Sequence, residues 1–196
     1  MRRNVMFVVV LVVLFSSGVA LAEKPLDFAK QGPANPPAIE ASEDTPIDYN
    51  GGVPAPVVGA LDADDSTYNR LLSNCSGLSG VGTDVYYDTI TITNQLAVQA
   101  DFVVETSGVG TPGTCGSVDT FLTAYGPTFD PANPDLNCVD SDDDGGDSVC
   151  SLINFSIAAG ETAVVVVTSF GNGVTGDYQV NFDGTVPVEL MSISVN

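Results

Sequence analysis

Past residue 60 the chain consists of short runs in which apolar and polar residues alternate, broken by Gly, Asn, Asp and Pro. Val98, Ala100, Phe102 and Val104 share one parity, with Gln99, Asp101 and Glu105 on the other. Ile153, Phe155 and Ile157 alternate with Asn154 and Ser156. Tyr178, Val180 and Phe182 alternate with Asp177, Gln179, Asn181 and Asp183. A period of two puts each apolar set on one face of a strand and leaves the other face wet. Ala163–Val167 is apolar throughout, which suits a strand covered on both faces or lying beside a covering loop. Tyr86–Ile92 and Val118–Tyr125, rich in Thr, Tyr and aliphatic residues, complete the set. No stretch after residue 22 has helical periodicity. The pattern predicts an all-β sandwich or barrel with an antiparallel core. Its core residues are Ile90, Ile92, Val98, Phe102, Val104, Leu122, Ile153, Phe155, Val165, Tyr178, Val180 and Phe182.

The ends read differently. Residues 1–22 have a cationic start, an apolar run from Val5 to Phe15 and a small-residue end at Ala20-Leu21-Ala22. That is the pattern of a cleaved secretory signal, and the run is about half the length a membrane span needs. Residues 23–57 hold Pro25, Pro33, Pro36, Pro37, Pro46, Pro54 and Pro56 among acids and few apolar residues. Such a stretch predicts an extended linker, the alternative being a segment that orders by adding a strand to a neighbour. The sandwich then occupies 58–184. In the final 185–196, apolar positions switch from even to odd numbers at Met191, which predicts a bulged strand or tail.

Charge narrows the function. Twenty-five Asp and Glu face five Lys and Arg, a formal net charge of −20, with no His and no Trp. Nucleic acid and anionic membrane surfaces need a basic face and are excluded. Histidine-based catalysis and histidine-ligated zinc are excluded too. Two-carboxylate sugar hydrolysis needs an acid in an apolar pocket, whereas the acids here fall in turns and on wet strand faces. The expectation is a non-enzyme. Cys75, Cys115, Cys138 and Cys150 all lie beyond the signal, and an even count suits two bridges outside the cytoplasm. Cys138 and Cys150 enclose only an acidic loop, so they are expected to pair, which leaves Cys75 with Cys115.

That loop reads Asp140-Ser141-Asp142-Asp143-Asp144-Gly145-Gly146-Asp147. Alternating carboxylates around a Gly turn suit calcium, a hard cation that takes six to eight oxygens. Asp140, Asp142 and Asp144 are the expected side-chain ligands, with Asp143 and Asp147 beside them. Only the first half of a D-x-D-x-D-G loop is present, since its twelfth position is Ser151, not Glu. A solvated acidic turn is the competing reading. Asp62, Asp64 and Asp65 form a second acidic group, for which capping or a turn is expected.

The order of several short elements resembles the bacterial pre-peptidase C-terminal domain. They are Val118-Asp119-Thr120-Phe121-Leu122, Ala124-Tyr125-Gly126, Asp143-Asp144-Gly145-Gly146, Ser151–Ile157, Ala159-Gly160-Glu161-Thr162, the Val164–Phe170 strand and Thr175-Gly176-Asp177-Tyr178. Thr67-Tyr68-Asn69-Arg70 and Val85-Tyr86-Tyr87-Asp88-Thr89 are similar to its opening strands, so the resemblance spans about 60–184. It implies a jelly-roll sandwich, usually appended to secreted enzymes and itself non-catalytic, with some relatives binding collagen or calcium. The expected protein is a secreted bacterial binding or adhesion module, extracellular or at the cell surface. Its partner would be an extracellular protein or polysaccharide. The alternative is a structural subunit that joins copies of itself by exchanging terminal strands.

Overall fold

A computed structural model describes residues 37–41 and 44–186. The expected signal, the first part of the expected linker and the tail beyond residue 186 lie outside the described residues. Among the described residues, regular structure is strand apart from one 3-10 turn at Ser73–Cys75. The strands are β1 (Ile39–Glu40), β2 (Asp44–Tyr49), β3 (Val57–Leu61), β4 (Thr67–Tyr68), β5 (Val85–Asn94) and β6 (Ala100–Ser107). They continue with β7 (Thr120–Tyr125), β8 (Cys138–Asp142), β9 (Leu152–Ile157), β10 (Thr162–Ser169) and β11 (Gly176–Thr185). One sheet runs β1-β3-β11-β6-β9 and the other β2-β5-β10-β7-β8, with β4 alongside β5. The two sheets face one another as a β-sandwich.

The alternating runs become the inner faces. Phe102 and Val104 of β6, Ile153 and Phe155 of β9, and Tyr178, Val180 and Phe182 of β11 meet Ile90, Ile92, Leu122, Val165 and Val167 from the other sheet. Phe102 and Phe155 are register partners with stacked rings, and Tyr49 meets Phe102 edge-on. Val98 is the exception among the expected core residues. It is 46% exposed, in the turn before β6 begins at Ala100. Asn94 holds that turn by donating from Nδ2 to the carbonyls of Val98, Ile157 and Ala158. The alternation of 98–104 therefore starts two residues too early, because a turn residue happens to share the strand's parity.

Three further expectations need correction. The linker does not run to residue 57. β1 and β2 lie inside it and add to the chain's own sheets, pairing parallel with β3 and β5. Both sheets are thus mixed, where an antiparallel fold was expected. β2 takes Pro46 because β2 is an edge strand bonded on one side only, where a missing N–H costs nothing. Its odd positions, Thr45, Ile47 and Tyr49, are all buried. The acidic segment is also not wholly a turn, since Asp140–Asp142 belong to β8, paired with β7.

A second, smaller core covers the outer face of the six-stranded sheet. Tyr68, Leu71, Val85, Tyr125 and Val166 are buried there, with Tyr87 and Phe129 packed against them. This explains the unbroken apolar run of β10. Its odd-numbered residues point between the sheets, while Val166 points out beneath Tyr68 and Tyr125.

Candidate functional site

The acidic segment divides into two parts with different work. On β8, Asp140 and Asp142 stand two residues apart and turn toward β9, whose outer edge no strand covers among the described residues. Asp140 Oδ2 accepts from Asn154 N at 2.8 Å and Asp142 Oδ2 from Leu152 N at 3.0 Å. The fit is geometric. Edge-facing N–H groups recur every second residue, and so do side chains on one face of a strand, both about 6.6 Å apart. The D-x-D spacing thus satisfies the edge amides of β9 and blunts an edge that would otherwise be open to pairing. Asp142 Oδ2 also accepts from Gly145 N at 2.6 Å, closing the turn. A Cβ on Gly145 would sit 2.5 Å from that oxygen, which accounts for the glycine there. Asp147 lies exposed beyond the turn.

Asp143 and Asp144 converge elsewhere, on Asp119. One carboxylate oxygen from each of the three lies within 4.8 Å of the others. The β7–β8 register brings them together. Leu122 pairs with Asp142 in antiparallel strands, so the residue just before β7 falls beside the loop just after β8. Oδ1 of Asp119 and Oδ1 of Asp143 are both buried without a hydrogen-bond partner. Burial, then the charges of Asp144 and Asp119, push the Asp143 carboxyl up to about 6. Asp119 is raised for the same reasons, burial first and Asp144 second. Of the five loop carboxylates expected to share a metal, only Asp143 and Asp144 meet in this cluster, and Asp119 joins them from a distant point in the sequence.

Arg70 lies next to this cluster and draws both raised carboxyls back down somewhat. It is the only Lys or Arg among the described residues and is 2% exposed. Nε and Nη2 donate to the Phe170 carbonyl at 2.9 and 2.8 Å, and Nη1 donates to that of Leu71 at 2.8 Å. Its guanidinium carbon stands 4.2 Å from the Phe121 ring centroid and 4.7 Å from that of Phe170. Flat, weakly hydrated and charged at every pH, a guanidinium suits such a slot, and a lysine would not replace it.

The disulfides differ from the expected pairs. Cys75 joins Cys138 with Cα atoms 6.0 Å apart, and Cys115 joins Cys150 at 5.5 Å. Cys138 cannot reach Cys150 across a hairpin because the intervening chain is not one. Cys138 opens β8, the chain runs along it to Asp142, and only then crosses to β9 on the other sheet. Four strand residues separate the two ends by about 13 Å, twice what a bridge spans. Both ends of the acidic segment are clamped, but to different partners. Ser141 adds to the first clamp, its hydroxyl donating to the Leu72 carbonyl and accepting from Cys75 N. In the other acidic group, Asp65 Oδ2 accepts from Asp62 N at 2.6 Å, the turn role expected of it.

A groove crosses the outer face of the six-stranded sheet. Its floor is Thr89 and Thr91 of β5 with Thr162 and Val164 of β10. Asp44 of β2 stands on one side, and Pro127, Thr128 and Phe129, in the loop leaving β7, form the other. A second hollow continues it past Ser66, Tyr87 and Pro131, sharing Asp44, Thr89 and Phe129. The two enclose about 570 and about 340 Å³. Phe129 is held by Tyr68, Tyr87 and Tyr125, its ring 4.8–5.3 Å from theirs. The Thr91 hydroxyl donates to Asp44 Oδ1 at 2.7 Å, and Thr93 and Thr162 share a hydrogen bond at 3.3 Å. The Thr-Ile-Thr-Ile-Thr alternation of 89–93 is legible in the sequence, although it gives no hint of the wall opposite.

No family model matches this chain, and no curated protein does. Several solved structures do, two of them as follows. The chain is similar in fold to a pre-peptidase C-terminal domain. That structure, from a Bacillus anthracis collagenase, is 12% identical with a TM-score of 0.42, over 71% of this chain and 94% of that one. A periplasmic inhibitor of g-type lysozyme from Aeromonas hydrophila is also 12% identical, with a TM-score of 0.41, over 76% of this chain and 99% of that one.

Proposed function

We propose that this chain is a secreted, non-catalytic binding module that engages its ligand through the groove on the outer face of the six-stranded sheet. The groove carries this reading. Its volume is in the range of ligand sites, and it combines one largely apolar wall with a few placed hydroxyls and one carboxylate. The floor is made of strand residues rather than a loop, so little ordering is needed when a ligand binds. Two disulfides support a life outside the cytoplasm. The test is retention of the protein on a panel of insoluble extracellular polymers and matrix proteins, compared with a Thr128→Arg variant that plugs the groove. Retention lost in the variant, with melting unchanged, supports the reading. Equal retention of both proteins refutes the groove as the site.

Calcium enters this reading at Asp119, Asp143 and Asp144 rather than along Asp140, Asp142 and Asp144. One carboxylate oxygen from each of three residues converges there, and Asp119 and Asp143 each carry a buried oxygen without a hydrogen-bond partner, while Asp140 and Asp142 are engaged with backbone amides. A cation would offset the burial and relieve the repulsion that together raise Asp143 and Asp119. Millimolar calcium should raise the melting temperature above that in chelator, and Asp144→Asn should erase the difference. Identical melting of the wild type in both refutes the site.

A further inference from the structure

The chemistry of the groove selects among ligands, and this step rests on the groove being the binding face. We infer that its ligand is an uncharged polysaccharide. Three observations converge. First, the lining is of two kinds, with Pro127 and Phe129 offering apolar surface on one side while Thr91 and Thr162 on the floor and Thr128 on the rim offer hydroxyls. A pyranose has the matching division, a C–H face and a hydroxyl rim. Each threonine hydroxyl both donates and accepts, as each sugar hydroxyl does. The energetic centre of a protein–protein interface is instead enriched in Trp, Tyr and Arg, of which only Tyr87 lines these hollows among the described residues.

Second, charge excludes the acidic polymers. Among the described residues no Lys or Arg lines either hollow, Asp44 and Asp65 do, and the chain as a whole carries −20. An anionic polysaccharide would be repelled both at the site and by the field of the whole molecule. Third, the two hollows adjoin, sharing Asp44, Thr89 and Phe129, and both are open, so together they offer a trough rather than a closed pocket. A trough on a sheet face accepts a chain of sugar rings passing through.

Affinity gel electrophoresis of the mature protein tests this directly. The gels contain mannan, dextran, xylan or mixed-linkage β-glucan as neutral polymers, alginate or polygalacturonate as anionic ones, and gelatin as a polypeptide. The expected result is retardation by at least one neutral polymer and by neither anionic one. Thr128→Arg should weaken that retardation at least tenfold. Thr91→Val, which removes a hydroxyl without changing shape, should weaken it about fivefold, the scale of one hydrogen bond. Near-ultraviolet circular dichroism of each variant checks that the fold is kept. Retardation by a neutral polymer that both variants leave unchanged overturns the proposal, as does retardation by the anionic polymers. Groove-dependent binding to gelatin alone also overturns it, yet leaves the binding-module reading standing. No retardation in any gel, together with no retention on the insoluble panel, overturns both.

Discussion

Replacing Asp143 by Asn removes one of three mutually repelling carboxylates, and its effect should depend on pH in a defined direction. In the folded protein burial and the neighbouring Asp144 and Asp119 raise this carboxyl from 3.8 to about 6. A raised pKa means that the folded state favours the protonated acid. The stabilisation it brings is complete below about pH 4, falls as pH rises through about 6, and is absent above. At about 1.4 kcal/mol per pH unit the shift corresponds to about 3 kcal/mol. Asp143 is only half-buried, and solvent screening reduces the figure to about 1 kcal/mol. Asn has no charge to lose, so Asp143→Asn should be more stable than wild type by about 1 kcal/mol at pH 7.5, or about 3 °C in a domain of this size. The gain should vanish by pH 4. The assay is thermal melting of both proteins from pH 4 to 8 in chelator, read as the difference between them, because that difference cancels the titration of the other acids. Asp119→Asn should give a similar gain, and the two together less than their sum, since both relieve the same repulsion. A difference that stays flat across the pH range would show that Asp143 is not coupled to its neighbours as described.

Three other outcomes follow from the geometry. Peptide mapping of unreduced protein should recover Cys75 with Cys138 and Cys115 with Cys150, and removing the second bridge should cost up to about 4 kcal/mol by unfolded-state entropy; a Cys138–Cys150 peptide would overturn the β8-to-β9 crossing. Asp142→Ala should lower stability by about 1–3 kcal/mol even in chelator, because it strips the acceptor from the Leu152 and Gly145 amides. An effect seen only with calcium present would make Asp142 a metal ligand instead. Phe102→Ala should cost about 3–5 kcal/mol by leaving a cavity beneath Phe155 and Tyr49, whereas Val98→Ala should change the unfolding free energy read from denaturant melts by less than about 0.5 kcal/mol.

The faces of β6, β9 and β11 were legible from alternation alone, because a strand's side chains change sides at every residue and burial of one face imposes that rhythm locally. The same rhythm was present in β2, at Thr45, Ile47 and Tyr49, but the surrounding prolines spoke against a strand. Only the finding that β2 is an edge removes the objection, since an edge position spares Pro46 its missing N–H. Val98 shows the reverse error. A turn residue can carry a strand's parity, and the register with β9, which begins at Ala100, is what separates them. The hydroxyl ladder of Thr89–Thr93 was visible, whereas the Pro127–Phe129 wall that makes it a groove comes from a loop folding back over a neighbouring strand.

The acidic segment shows the division most clearly. The sequence by itself determined that many carboxylates crowd into few residues beside two cysteines, and that such crowding needs relief. Tertiary structure decided how that relief is divided. Asp140 and Asp142 are turned to amides of the other sheet, Asp143 and Asp144 are brought to Asp119, and each cysteine is given a partner outside the segment. All three results depend on which strand edges lie side by side. Period-two alternation is set by the geometry of adjacent residues and can be read along the chain. The meeting of two sheet edges is set by how whole faces pack, between residues tens of positions apart, and no local pattern records it.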